Sequence, residues 1–270
     1  MNRSLSARPA SAPSRRAALI TTLLSALTLT TALASVLTPV PARAASVQGS
    51  GNSATETRTL DAFEAVALSG AMELVVRQGA QQSVQVQADD NLLPLLETLV
   101  ESGRNGNTLK VRWKRDGAWG SGWQNMHTRS KVLITVVVPK LSAVAVAGSG
   151  DVRVETFSTP SLQLSLSGSG DARLDGLTTE ELGVRVSGSG DVSGKGSAAK
   201  VKISIAGSGD VRLSEMRADD VSVSIAGSGD AAVNAQKLLT VSIAGSGDVS
   251  YTGDAQVKSS VAGSGTVRRR

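Results

Sequence analysis

Apolar and polar residues alternate strictly through the second half of the chain. Leu162, Leu164 and Leu166 are separated by Gln163 and Ser165, Val201, Ile203 and Ile205 by Lys202 and Ser204, and Val221, Val223 and Ile225 by Ser222 and Ser224. A period of two is the signature of a strand with one buried face. Each run ends in the same kind of tetrad. Gly-Ser-Gly-Asp begins at Gly148, Gly168, Gly188, Gly207, Gly227 and Gly245, and a seventh copy, Gly263-Ser264-Gly265-Thr266, exchanges Asp for Thr. Successive spacings are 20, 20, 19, 20, 18 and 18 residues. Beyond the tetrad the alternation resumes briefly, as in Val152-Arg153-Val154, Ala172-Arg173-Leu174 and Val211-Arg212-Leu213.

One unit reads as strand, tetrad turn, shorter strand and looser connection. A hairpin array would turn every 8–12 residues or so and pair antiparallel. A helical repeat would space its apolar residues by three and four, and would not tolerate this much Gly and Ser. A parallel solenoid fits: valines and isoleucines stack into an interior column, and neighbouring coils pair at about 4.8 Å. Seven coils predict a rod of roughly 30 Å. Two glycines per tetrad let the chain turn a sharp corner, positive φ included. The fold class is therefore all-β, a single-stranded parallel β-helix occupying residues 141–267.

The reiterated Gly-Ser-Gly-Asp-Val after Val/Ile-x-Val/Ile resembles the head GIN domain family of proposed autotransporter adhesins. So does the segment Phe63-Glu64-Ala65-Val66-Ala67-Leu68-Ser69-Gly70, with the following Glu73-Leu74-Val75-Val76-Arg77-Gln78-Gly79. The resemblance covers roughly residues 55–265. It implies a right-handed β-helix, which the period alone leaves open, and a proposed adhesive role, but no reaction. Residues after 266 are too few to build the membrane barrel of a full autotransporter.

The first part does not repeat. Residues 45–56, rich in Ser, Gly, Thr and Asn, read as a flexible lead. Residues 57–140 read as a mixed cap over the open N-terminal end of the solenoid, since such an end exposes apolar surface and unpaired edges. Strand patterns cover Met72–Val76, Val84–Ala88, Thr108–Trp113 and Val132–Val138. Asn91 to Ser102 predicts one short helix, with Pro94 in its first turn and Gly103 as its stop.

Charge changes meaning once the N-terminus is read. Residues 1–16 hold Arg3, Arg8, Arg15 and Arg16 and no acid, an apolar stretch follows from Ala17 to about Val40, and Pro41-Ala42-Arg43-Ala44 offers an Ala-x-Ala site. Residues 1–44 are thus expected to be a secretory signal peptide. The alternative is an uncleaved membrane anchor, against which stand the small-residue exit and the helix-breaking Pro39 and Pro41. Ser14-Arg15-Arg16 loosely resembles a twin-arginine signal, leaving that export route beside the general secretory one. The chain has 28 Lys and Arg against 23 Asp and Glu. Without the five arginines of residues 1–44, bases and acids balance, and the net basic footprint that nucleic-acid binding requires is gone. Residues 268–270 remain as a basic tail. The absence of Cys excludes disulfides and a lipid-bearing cysteine. With only six aromatic residues, the core must be aliphatic.

Three candidate groups follow. Stacking would bring Asp151, Asp171, Asp191, Asp210, Asp230 and Asp248 into a column, where neighbours about 4.8 Å apart repel by about 0.9 kcal/mol even in bulk water. Either amides of the same or adjacent turn accept this charge, or Ca²⁺ bridges the coils as in other Gly/Asp-rich solenoids. One Asp and one Ser per turn are few oxygen ligands for Ca²⁺, which favours the amides. The serines (Ser149, Ser169, Ser189, Ser208, Ser228, Ser246, Ser264) lack a positioned base, since the single His, His127, lies outside the repeats. No Gly-Lys-Ser/Thr follows a tetrad, so it is no phosphate loop. Trp113 to Arg129 holds all three Trp and His127. Trp119, Trp123 and His127 form a candidate binding loop, because exposed indoles stack on sugars or anchor proteins, while the plainer reading has the indoles sealing the cap.

The expected function is an exported, non-enzymatic envelope or surface module for adhesion or structural binding, periplasmic or at the cell surface. A Ca²⁺-stabilised binding protein for envelope polysaccharide is the alternative. A β-helix carbohydrate-active enzyme would need a carboxylate pair outside the repeat register, and the exposed positions simply repeat. Expected partners are an envelope polysaccharide or protein, with no nucleic acid and no membrane span after signal cleavage. Oligomers through the solenoid ends are the remaining possibility.

Overall fold

The computed structural model describes residues 47–103, 106–114 and 127–270. These belong to one compact unit spanning residues 44–270. The signal peptide expected at 1–44, and Trp119 and Trp123, lie outside the described residues.

The N-terminal part supplies β1 (Ser53–Arg58), β2 (Ala65–Ser69), β3 (Glu73–Gln78), β4 (Ser83–Asp89), β5 (Leu96–Gly103), β6 (Gly106–Trp113) and β7 (Leu133–Val138). The repeats supply β8 (Ala143–Gly148), β9 (Asp151–Gly168), β10 (Ala172–Gly188), β11 (Val192–Gly207), β12 (Val211–Gly227), β13 (Ala231–Gly245), β14 (Val249–Thr252), β15 (Gln256–Gly263) and β16 (Val267–Arg269). All sixteen join one sheet. From β9 to β16 every pairing is parallel, with Gly168 on Gly148, Gly188 on Gly168, Gly207 on Gly188 and so on upward. The chain is a β-solenoid of about six turns, the intervals between seven tetrads.

Ladder pairing runs through the segment expected to be a looser connection, so each coil is one long bent strand. Its bends appear as phase changes in burial. In the second repeat Ala172 and Leu174 face inward, then Leu177 and Thr179, then Leu182, Val184 and Val186. Twice a step of three replaces the step of two, and each such step is a corner. Leu162, Leu182, Val201, Val221 and Leu239 stack in register and all are buried.

The short helix expected over Asn91–Ser102 is absent. Only Leu93–Leu95 forms a single 3-10 turn, and β5 then pairs antiparallel with β6 from Leu96 on Trp113 to Gly103 on Gly106. Leu92, Leu93 and Leu96, all buried, imitate helical spacing. Beyond Pro94, however, the β-branched Thr98 and Val100 alternate with Glu97, Leu99 and Glu101 and gain a ladder of hydrogen bonds in the hairpin. The flexible lead is also shorter than expected. Gly49 N–H donates to His127 O at 2.8 Å, and Ser53–Arg58 pairs antiparallel with β4, a role suited to its β-branched threonines.

The solenoid itself reaches below the first tetrad. β8 stacks parallel on β2 and the start of β9 on β3, while β6 and β7 stack beneath these same two strands. The outermost N-terminal strands, β1 and β5, pair antiparallel with β4 and β6. An antiparallel strand ends a parallel stack without offering a matching edge for another coil, which is how this end is closed.

Candidate functional site

The two tetrad glycines serve different needs. The first adopts positive φ, 128° at both Gly168 and Gly188, where a side chain is strained. The second has no such φ. A Cβ on Gly170 would stand 2.0 Å from Gly150 O, and one on Gly190 2.2 Å from Gly170 O. The corner is thus packed backbone on backbone, and only hydrogen fits at its inner side. The serine between them faces outward, and its N–H ties the corner to the coil below, Ser169 N to Gly148 O at 3.0 Å and Ser189 N to Gly168 O at 2.9 Å.

The aspartates form a continuous hydrogen-bonded ladder. Asp151 Oδ1 accepts from Asp171 N–H at 3.1 Å, Asp171 from Asp191 at 3.1 Å and Asp191 from Asp210 at 3.0 Å. Asp210 accepts from Asp230 at 3.0 Å and Asp230 from Asp248 at 2.8 Å. At the top, Thr266 donates both its N–H and its Oγ1–H to Asp248 Oδ1, each at 2.8 Å. These bonds, the hydroxyl's first, hold the Asp248 carboxyl below its ordinary range. Charge-assisted bonds are about twice as strong as neutral ones, and they offset the repulsion of stacked carboxylates. The amide hydrogen bonds expected of the column are thus present at every step. Among the described residues no three His, Cys, Asp or Glu side chains gather as a metal site.

The outer oxygens of Asp191 and Asp210 meet one arginine, and other carboxylates of this face pair likewise. Arg212 Nη1 donates to Asp191 Oδ2 at 2.9 Å and Arg212 Nη2 to Asp210 Oδ2 at 2.7 Å. Arg153 Nε donates to Asp175 Oδ2 at 2.8 Å, and Arg77 Nε to Glu155 Oε2 at 2.7 Å. Two residues past each Asp runs a register column of Arg153, Arg173, Ser193, Arg212, Ala232 and Ser250.

Here the repeat breaks, contrary to the expectation that exposed positions simply recur. Where its neighbours carry Arg-Val or Arg-Leu, the third repeat carries Ser193-Gly194. Leu213, Leu174 and Met216 fill the inner space beside Gly194. Outside, the missing arginine leaves two adjoining depressions of about 330 and 380 Å³. Both are lined by Arg173, Ser193 and Arg212. Arg212 is engaged by two aspartates, whereas Arg173 has no ion pair or side-chain hydrogen bond among the described residues. Sequence reading missed this place because it weighed what recurs. The signal was a coil whose outward Arg is replaced between two coils that keep theirs.

Of the expected binding loop, His127 is exposed and its backbone pairs with that of Val47 and Gly49. Trp113 is partly buried against the core, as the sealing role requires. Nearby, Asp89 is fully buried. Burial would raise its carboxyl pKa, but bonds from Ser130 Oγ, the Arg129 and Ser130 amides and Gly51 N–H outweigh it and leave the pKa lowered. This anchor clips three chain segments together.

The family model described as "Putative auto-transporter adhesin, head GIN domain" matches residues 62–255. The chain belongs to this family. No curated protein matches it. Among solved structures, a putative adhesin from Bacteroides fragilis is 24% identical, with a TM-score of 0.73, covering 83% of this chain and all of that one. A putative lipid binding protein from Parabacteroides distasonis is 22% identical with a TM-score of 0.69, over 84% of this chain and all of that one. A putative adhesin from Parabacteroides merdae, also 22% identical, has a TM-score of 0.60, over 83% and 98% respectively. At these identities the likeness establishes the shared fold of the GIN domain. An adhesin-like family implies an exported or surface protein. Among the described residues, no helix is long and apolar enough to cross a membrane.

Proposed function

We propose that this head GIN domain chain is an exported, non-enzymatic module of the cell envelope or surface that binds an envelope polysaccharide. Its carrying feature is the break at Ser193. Between the outward guanidinium of Arg173 and the Asp-bound Arg212, the two depressions together offer donors, acceptors and room for a small number of sugar units along this wall. A guanidinium with unspent donors suits hydroxyl and carboxylate groups. Repeated coils add further weak contacts along a polymer, and such contacts multiply in avidity.

Support for a non-catalytic role comes from the same face. Each aspartate of the ladder already accepts an amide N–H, and the tetrad serines have no base beside them. The Ca²⁺-stabilised variant of this reading has less support, since one oxygen of every ladder aspartate already accepts a backbone hydrogen bond.

Affinity electrophoresis through gels containing purified envelope polysaccharides tests the reading. At least one polymer should retard the chain, with the apparent Kd rising about tenfold in Arg173→Ala while the melting temperature holds. Retardation that Arg173→Ala leaves unchanged would move binding elsewhere, and release of reducing ends from the polymer would make the chain an enzyme.

A further inference from the structure

The last coil differs from every coil beneath it. β15 pairs only with β13, and β16 only with β14, so among the described residues the outer edge of both has no partner. Ser264 N–H points back to Gly245 O and Arg270 N–H to Tyr251 O. Backbone groups alternate in direction along a strand, so the N–H groups of Val257, Ser259, Val261, Val267 and Arg269 point outward. The apolar column ends here too, since Val257 stands on Leu239, Ser259 on Val241 and Val261 on Ile243. Val261 is 41% exposed, whereas Ile243 below it is 2% exposed.

The charge of this coil is also changed. From Gln256 to Arg270 there are four bases, Lys258, Arg268, Arg269 and Arg270, and no acid. The aspartate that every lower tetrad presents to the next coil is replaced by Thr266, which turns its hydroxyl back to Asp248. Among the described residues, Arg269 alone of the four bases is ion-paired, with Asp254 at 2.5 Å. The N-terminal end is closed by antiparallel strands, whereas this end presents an open, basic edge with valines along it.

We propose that the C-terminal edge accepts, by strand addition, an extended acidic segment of another protein. Main-chain groups of β15 would supply the ladder, Val257 and Val261 would cover its inward residues, and Lys258, Arg268 and Arg270 would meet its acids. A second copy of this chain is the poorer occupant, because it would bring the same four bases against these. This surface is separate from the depressions at Ser193, and its partner is independent of the polysaccharide.

The probe is a fluorescein-labelled octapeptide of alternating glutamate and valine, followed by fluorescence anisotropy with the full chain, beside a lysine–valine control. The acidic peptide should bind saturably and the basic one should not. Raising salt from about 50 to about 500 mM should weaken binding at least tenfold. Lys258→Glu/Arg268→Glu should do the same, and Val261→Pro, which deletes an outward N–H, should abolish binding. If the proline variant does not fold, the charge reversal, on two exposed side chains, still decides. No binding of the acidic peptide, equal binding of both peptides, or binding that survives charge reversal overturns the proposal. So does a dimer in sedimentation that charge reversal strengthens, because that would make a second copy the occupant.

Discussion

At Gly170 and its equivalents a single hydrogen atom decides the corner. Because Gly170 has no positive φ, Gly170→Ala isolates the steric effect of a Cβ lying 2.0 Å from Gly150 O. The backbone must move apart, at a cost of about 1–3 kcal/mol, or several degrees in melting temperature for a chain of this size. Ser169→Ala, one residue away and outward, should change stability by less than about 0.5 kcal/mol. Equal effects from the two variants would mean that the coils are not stacked this closely. The Asp89 carboxyl offers a second test. Its folded pKa is lowered, so it stabilises the fold above its unfolded pKa of about 3.9, and that stability is lost as pH falls through the folded value. Denaturant midpoints should therefore drop as pH falls below about 3.9, and the drop should be shallower in Asp89→Asn. An unchanged acid slope in that variant would remove Asp89 from the account.

Elements differ in how plainly the sequence declares them. The repeats were legible because two signals agree: the period-two pattern of residues such as Val201, Ile203 and Ile205, and the recurrence of Gly-Ser-Gly-Asp. The strand β5 was not, because Leu92, Leu93 and Leu96 occupy helical spacing and only long-range pairing with β6 favours extension. Interlayering was equally hidden. β2 and β3 lie between β6–β7 and β8–β9, although β6 and β7 precede β8 in the chain, and no local pattern encodes that order. The Asp ladder and its amide donors were foreseen, but not which of the two turns supplies them, nor the ladder's end at Thr266. The Arg173–Ser193 site went unseen because it is an exception to a repeat. Position within the stack should govern mutational cost. Ile203→Ala, buried at 1% between two coils, should cost about 2–5 kcal/mol. Val261→Ala in the terminal coil should cost less than about 1 kcal/mol. Equal losses in chemical denaturation would contradict the coil order.

For the whole molecule, stability rests on an aliphatic interior, in-register parallel pairing and the carboxylate-to-amide ladder along one corner. No disulfide is available, and the paired guanidiniums lie on the outside, where such pairs add little. A solenoid built this way keeps its outer wall free for binding, with its arginine column interrupted between Arg173 and Arg212 and the edge of β15 open. On this reading hydrogen bonds, without a cation, hold its aspartates together. Thermal unfolding of the chain in excess Ca²⁺, and again in chelator at matched ionic strength, tests that claim most directly. The ladder predicts the same melting temperature in both. Saturating even one native site at 100 times its Kd would add about 2.7 kcal/mol, so a rise of many degrees in Ca²⁺ would contradict the ladder and make the aspartate column a metal site.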